Sequence, residues 1–149
     1  SATTSEGFDR ALNISAYSLA PLCKAAKPLF SDGAGVVSLT YLGSERAIPN
    51  YNVMGVAKAA LEAIIRSLAF ELAPLKITAN CIQAGVTNTE SLQLIPGSDQ
   101  LIAQALERNP QRRLTTPEDV ANVVYLLTKP EANWINGAVI PVDGGEHLR

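Results

Sequence analysis

Three short runs rich in β-branched residues, separated by long helical patterns, restrict the fold of this chain more than any other feature. The runs are VVSLTYL at residues 36–42, KITANCIQAG at 76–85 and AVIPVDGG at 138–145. Each is apolar enough for a strand that is buried on both faces, as strands of parallel sheets are. Because helical patterns connect them, the strands should be parallel, and the predicted fold class is α/β.

Caps and prolines mark the helices between these strands. Thr3 and Glu6 have the spacing of a capping box, and the helix that they start should be interrupted at Pro21 and end near Pro28. Thr116, followed by a proline and an acidic residue, predicts a well-capped helix start. The helices predicted after the first strand lie at residues 51–73, around 99–108 and at 116–129.

Ligands of open parallel sheets bind beyond the carboxyl ends of the strands. The loops at residues 43–50, 84–98 and 144–147 should therefore share one rim of the sheet. Tyr51 leaves the first of these loops, and Lys58 follows seven residues later on the same helix. Seven helical steps return to within roughly 20° of the starting direction, so the two side chains share a face. On spacing alone, a surface tyrosine and a snorkelling lysine are the simpler interpretation.

The composition limits what the chain can bind. With 149 residues, 47% of them hydrophobic, the chain suits one globular domain and not comfortably two. A net charge of -2 with scattered basic residues indicates neither a nucleic-acid partner nor a membrane partner. Cys23 and Cys81 form no CxxC pair and the chain has a single histidine, His147, so we expect buried, reduced thiols, a cytoplasmic type of compartment and no metal site.

Three stretches resemble the carboxyl-terminal half of a short-chain dehydrogenase/reductase. They are YNVMGVAKAALEAIIRSLAFEL, ITANCIQAG and TTPEDVANVVYLLTKPEANWINGAVIPVDGG, in this order. Most members of that superfamily space the catalytic tyrosine and lysine four apart, whereas here residue 55 is glycine and the lysine is Lys58. This wider spacing, with Tyr41 ten residues before Tyr51, resembles the enoyl-acyl-carrier-protein reductases of bacterial and plastid type. The resemblance runs from about residue 5 to residue 145 and implies the C-terminal half of a Rossmann-type doubly wound parallel sheet.

The resemblance also implies a chemistry, with NADH or NADPH as cofactor and an acyl thioester on acyl carrier protein as substrate. Tyr51 would bond the substrate oxygen, and Lys58 would lower the pKa of that phenol and bind the nicotinamide ribose. Tyr41 would line the acyl pocket, although on the strand pattern it is equally a core residue.

The stretch QAGVTNTES, residues 83–91, resembles the family loop that contacts the nicotinamide and the pyrophosphate. Its implied cofactor contacts are Gly85, Val86, Thr87 and Thr89, with the glycine permitting close approach and the threonines offering hydroxyls. Val86 replaces the usual proline of the family, and because valine does not fix its backbone angle φ as proline does, the loop is expected to be less stiff. Residues 90–110 fall where relatives carry the mobile substrate lid.

Other positions bear on how the carrier protein would dock. Asp99, in the lid region, argues against the basic patch that an acidic carrier protein would favour. Arg112 and Arg113 are basic candidates, but a solvated or capping role is the simpler expectation for both.

The chain contains no glycine-rich turn after a first strand, so we expect residues 1–149 to be a single partial domain that lacks the N-terminal dinucleotide-binding strands. A 3-oxoacyl or other carbonyl reductase is the alternative enzyme, because Ser38 and Asn13 match residues of the wider superfamily. A non-catalytic scaffold is the alternative outside enzymes.

The helices at about 5–30 and 51–73 are apolar on more than one face, which predicts a second subunit against the outer face. Relatives pair these helices across a twofold axis and use the last strand in a second interface, so the resemblance implies a homo-tetramer. Ile65 is one of the residues expected to face a partner subunit. The implied location is the cytoplasm, or the plastid stroma in a eukaryote.

Overall fold

Three parallel strands form the centre of the computed structural model, which describes residues 3–94 and 97–149. They are β1 (Gly35–Tyr41), β2 (Thr78–Ala84) and β3 (Val139–Val142), lying side by side in that order. The register aligns Tyr41 with Ala84 and Ala84 with Val142, so all three strands end in one row. The predicted α/β class and the three predicted strands are confirmed.

The helices are α1 (Ser5–Leu12), α2 (Leu19–Ala26), α3 (Asn52–Leu72), α4 (Glu90–Gln93), α5 (Ser98–Arg108) and α6 (Pro117–Leu127). Single 3₁₀ turns lie at Lys27–Leu29, Leu42–Ser44, Ala73–Leu75, Pro130–Ala132 and Glu146–Leu148. The three helices predicted after the first strand are therefore present, and Thr116 caps α6 as predicted, through a capping box with Asp119.

The first helical segment differs from its prediction in two ways. Its N-cap is Thr4, whose hydroxyl accepts from the Gly7 N–H, so the predicted box of Thr3 with Glu6 is wrong by one residue. The interruption is a π-helical turn at Asn13–Tyr17, before Pro21 and not at it. A proline lacks the N–H and crowds the carbonyl four residues earlier, so the turn before it is the one disturbed.

Helices cover both faces of the sheet. On one face α1, α2 and α3 enclose a core with Leu61 and Ile65 of α3, and on the other α6 packs Val120 and Leu127 against Ile82 of β2. This arrangement confirms the doubly wound layering. Ile65 is fully buried because it lies on the row of α3 that faces the sheet, so its predicted place at a subunit interface is wrong.

Two further expectations concern the thiols and the membrane. Both cysteines, Cys23 and Cys81, are free and buried, as predicted. None of the helices in the described residues is long and apolar enough to cross a membrane.

Candidate active site

A cavity of about 310 Å³ opens at the carboxyl ends of β1 and β2, where the rim was predicted. We call it the rim pocket, and its lining comprises Tyr41, Ile48, Pro49, Asn50, Tyr51, Gly85, Val86, Thr87, Thr89, Ser91, Leu92, Gly97, Gln100, Leu101 and Gln104. The two loops after these strands and helix α5 thus form its walls. Of the seven predicted site residues, six line this pocket and Lys58 does not.

Tyr41 and Tyr51 are stacked edge to face at one end of the rim pocket. Their ring centroids are 5.1 Å apart and their planes are inclined by 70°. Tyr41, the last residue of β1, also packs against the buried cluster of Val86, Leu92 and Ala105. It is therefore a core residue and a pocket residue at once, which answers the question that the strand pattern left open.

Two glycines fix where Tyr51 can lie. A Cβ atom added at Gly43 would lie 2.6 Å from Cε1 of Tyr51, so the ring rests directly on that glycine. A Cβ added at Gly55 would lie 2.5 Å from the Gly43 carbonyl oxygen. A side chain therefore does not fit at residue 55, and Lys58 lies about one turn further along α3.

The Lys58 side chain extends from α3 to the backbone of β1. Its Nζ donates to the Leu39 carbonyl oxygen at 2.8 Å. Burial lowers the pKa of the Lys58 ammonium, and the nearby Cys81 and Glu62 oppose that shift. An ammonium has three N–H donors, and in the described part of the chain one of these bonds Leu39.

The expectation that Lys58 lowers the pKa of Tyr51 is wrong in this structure. Burial, followed by the neighbouring Tyr41, raises the pKa of Tyr51 to about 12. The Tyr41 pKa is raised as well, chiefly by burial and next by the charge of Glu146. The physical reason is that burial removes water from both phenols, while the Lys58 ammonium is directed to the backbone of β1. Tyr51 is therefore a protonated hydrogen-bond donor at neutral pH.

The loop after β2 is held at several points. The Gly85 N–H donates to the Val142 carbonyl at 3.1 Å, and Val86 and Asn88 bond residue 115 in a short parallel bridge. The Thr87 hydroxyl donates to the Gly85 carbonyl at 2.8 Å, and the Thr89 hydroxyl caps α4. Valine in place of the usual proline therefore does not leave this loop loose.

Packing within the protein explains why residue 85 is glycine, which differs from the explanation expected from the sequence. A Cβ atom there would lie 2.5 Å from Thr115 Oγ1 and 2.9 Å from Glu146 Oε2. The glycine is thus required by packing within the protein, and the expectation that it serves the approach of a ligand is not needed to explain it.

The arginines after α5 are engaged in local structure. Arg113 makes two bonds to Asp119, at 2.6 and 3.0 Å, which supports the cap of α6, and Arg112 bonds the Glu107 carbonyl at 3.4 Å. This agrees with the capping role expected from the sequence. Nδ1 of His147 lies 2.7 Å from Asp143 Oδ2, at the turn after β3.

Sequence reasoning missed one buried acid beside the site. Glu146 is 2% exposed, and its carboxylate contacts both the loop after β2 and Arg108 of α5. No periodicity or motif marks a lone glutamate after two glycines, so the sequence carried no signal for it. Among residues 3–94 and 97–149, no group of three or more His, Cys, Asp or Glu side chains is placed to hold a metal ion.

The two residues of the alternative enzyme lie away from the rim pocket. Ser38 lies on the face of β1 that carries Val36 and Thr40, opposite to Tyr41 by the alternation of the strand. Asn13 donates its amide to the Asp9 carbonyl at 2.8 Å, inside its own helix.

Comparisons with known proteins agree on one family. Residues 1–147 match the family described as Enoyl-(Acyl carrier protein) reductase. The enoyl-(acyl-carrier-protein) reductase (NADH) FabI of Enterococcus faecalis is 48% identical over 145 residues, which are 97% of this chain and 58% of that protein.

Solved structures give the same result. The enoyl-(acyl-carrier-protein) reductase (NADH) of Aquifex aeolicus matches with a TM-score of 0.94 and 38% identity, over 99% of this chain and 58% of that chain. The Bacillus cereus enoyl-acyl carrier protein reductase with NADP+ and indole naphthyridinone matches with a TM-score of 0.94 and 40% identity, over the same shares of 99% and 58%. The chain thus spans little more than half the length of these relatives.

Proposed function

The chain belongs to the enoyl-(acyl carrier protein) reductase family of the short-chain dehydrogenase/reductase superfamily, and from that premise we propose that the complete protein reduces the 2,3 double bond of enoyl thioesters on acyl carrier protein, in fatty acid synthesis. The observation that carries the proposal is the Tyr41 and Tyr51 pair at the end of the rim pocket. Both NADH and NADPH are retained as cofactors, because relatives are named for NADH and one is described with NADP+.

The residues around the rim pocket fit a nicotinamide nucleotide. Lys58 has two N–H donors beyond the one that bonds Leu39 in the described residues, and these suit the hydroxyls of a ribose. The loop of Gly85, Val86, Thr87 and Thr89 forms the wall on which the nicotinamide side would rest. When bound, the reduced nicotinamide supplies the hydride for the β-carbon of the substrate.

Tyr51 then acts on the oxygen of the thioester. As negative charge develops on that oxygen, the protonated phenol donates a hydrogen bond to it and stabilises the enolate. Because its pKa is raised to about 12, the Tyr51 phenol is protonated at neutral pH and can donate this bond. Tyr51 is thus an electrophile first and a proton donor second, and Tyr41 forms the adjacent wall of the acyl pocket.

The positions of Ser38 and Asn13 favour this reaction over reduction of a ketone. A carbonyl reductase needs the serine beside the substrate oxygen, and Ser38 lies on the other face of β1 from Tyr41. Asn13 donates its amide to the Asp9 carbonyl on an exposed part of its helix and is not among the residues that line the rim pocket. A glycine-rich turn upstream in the complete protein would separate an enzyme from a non-catalytic scaffold.

Two substitutions in the complete protein test the assigned roles. Tyr51→Phe should reduce turnover of a 2-enoyl thioester by roughly two to four orders of magnitude, the range for a lost proton donor, while nucleotide binding stays nearly intact. Lys58→Ala should weaken both. Wild-type nucleotide affinity in the Lys58 variant would overturn the role of that lysine.

We also propose that the complete enzyme is a homo-tetramer in a reducing compartment, the cytoplasm or the plastid stroma. Support comes from large apolar side chains on the outer faces of the first helical segment and of α3, since Leu22 is 65% exposed and Phe70 is 83% exposed. Two free, buried thiols suit a reducing compartment.

A further inference from the structure

One buried carboxylate connects two walls of the rim pocket. Oε2 of Glu146 accepts from the Val86 N–H of the loop after β2 at 3.0 Å. Its other oxygen, Oε1, accepts from Nη2 of Arg108 at the end of α5, at 3.1 Å. Glu146 itself is 2% exposed, so this contact is shielded from water. A proline at residue 86 would have no N–H to donate, so the first contact depends on the valine.

Hydrogen bonds hold the turn that carries Glu146. Asp143 accepts from the N–H groups of Gly145 at 2.9 Å and His147 at 2.8 Å, on either side of the glutamate. Glu146 is therefore a fixed point against which the loop and α5 are held.

Helix α5 forms the outer wall of the rim pocket. Leu101 and Gln104 line the pocket. Arg108 lies on the same helix face, one turn after Gln104 and two turns after Leu101. The Arg108 side chain is 27% exposed in its ion pair, so most of it is enclosed by the protein. Since Arg108 is the C-terminal residue of this wall, its bond to Glu146 limits how far the wall can swing.

The same pair also acts on Tyr41. After burial, the charge of Glu146 is what most raises the pKa of Tyr41, and Arg108 lowers it through its charge and through a polar contact with the phenol. That contact lies outside strict hydrogen-bond geometry, since the buried Tyr41 hydroxyl and the buried Nε of Arg108 have no such partner among the described residues.

We propose that Glu146 and Arg108 are a positioning pair that holds α5 against the pocket and thereby sets the affinity for the acyl thioester, while the bond to Val86 independently holds the nucleotide loop. This inference rests on the proposed function. Removing one member of a buried ion pair leaves the other charge uncompensated, which loosens the segment that carries it.

Three substitutions in the complete protein separate the two contacts. Glu146→Gln keeps an oxygen for the Val86 N–H but turns an NH₂ group toward Arg108, and Arg108→Met removes the ion pair from the other side. Both should raise the KM for a crotonyl thioester roughly tenfold or more, while kcat and the dissociation constant for the nucleotide change less than about threefold. Glu146→Ala loses both contacts and should weaken nucleotide binding as well.

Two controls distinguish positioning from general stability. Arg108→Lys keeps a cation and should restore most of the thioester affinity. Lys76→Met breaks the exposed pair with Asp32 outside the pocket, where both side chains are largely in water, and should leave all constants unchanged. An unchanged KM in Glu146→Gln would overturn the proposal. Equal losses of thioester affinity and nucleotide affinity in Glu146→Gln would overturn it too.

Hydrogen exchange provides a readout that does not need catalysis. Amides of α5 in the complete protein should exchange at least roughly fivefold faster in Glu146→Gln and in Arg108→Met than in the wild type. If the wild type lacks enoyl reductase activity but α5 exchanges faster in both variants, the proposed function fails, whereas the role of the Glu146–Arg108 pair in holding α5 is supported. Unchanged exchange in α5 would refute the role of the Glu146–Arg108 pair in holding this helix.

Discussion

Exchanging Gly43 for alanine should displace the tyrosine that we place at the centre of the reaction. The new Cβ would lie 2.6 Å from Cε1 of Tyr51, and two carbon atoms without a bond between them need about 3.5 Å or more. The ring must therefore retreat by about 1 Å, because the obstacle is the backbone of the loop and cannot turn away. Its hydroxyl would then miss the substrate oxygen that it is meant to bond.

A displacement of about 1 Å in an active site can cost a factor of about 100 in rate. We expect kcat/KM for a crotonyl thioester to fall by about this factor, which is about 2.7 kcal/mol of transition-state stabilisation. Nucleotide affinity should change little, because Lys58 reaches the site from a different turn of α3. The measurement is steady-state kinetics of the complete protein, with nucleotide binding followed by fluorescence and folding checked by circular dichroism.

Gly35→Ala is the matched control, since its Cβ would meet Thr78 Oγ1 at an ordinary 3.5 Å, at the far end of β1 from the pocket. It should leave kcat/KM within about threefold of the wild type, a change of less than about 1 kcal/mol. If a folded Gly43→Ala variant also kept its activity within that margin, the reasoning that Gly43 positions Tyr51 would be refuted.

Three more predictions concern ionisation, assembly and thiol reactivity. Because the pKa of Tyr51 is raised to about 12, its contribution to stability is complete below the usual tyrosine value of about 10 and is lost as pH rises toward 12. Ultraviolet titration of the wild type against Tyr51→Phe should show a phenolate that forms only at this high pH, and ionisation near neutrality would contradict it. Phe70→Glu, on the exposed face of α3, should lower the mass measured by light scattering, whereas Ile65→Glu should unfold the subunit because Ile65 is fully buried; an intact assembly in the Phe70 variant would count against that interface. The Cys81 thiol is fully buried, and its pKa is raised to about 12 by burial and then by Glu62, so it should resist alkylation in the native protein and react once the protein is denatured. Rapid labelling of the native protein would argue against this burial.

Local patterns were sufficient for the frame of the fold. The three β-branched runs predicted β1, β2 and β3, and Thr116 with Asp119 predicted the start of α6, because burial and capping depend on residues close together in the chain. The shared rim followed from the parallel connections.

Features set by contacts between distant residues were not predictable in the same way. Helical spacing gives the angle between Tyr51 and Lys58 but not where an ammonium on a long side chain settles, and here it bonds the Leu39 carbonyl. Burial then raised the phenol pKa instead of lowering it. Glu146 lies 60 residues from its partner Val86, a separation at which sequence pattern carries no information.

A comparison of two substrates in the complete protein tests the proposed enoyl reduction most sharply. Oxidation of NADH or NADPH is followed with crotonyl and with acetoacetyl thioesters, and kcat/KM is determined for each. We expect a preference for the crotonyl thioester of roughly a hundredfold or more, because Tyr41 and Tyr51 are together at the pocket while Ser38 is on the other face of its strand. A preference for the acetoacetyl thioester would contradict enoyl reduction and identify the protein as a carbonyl reductase.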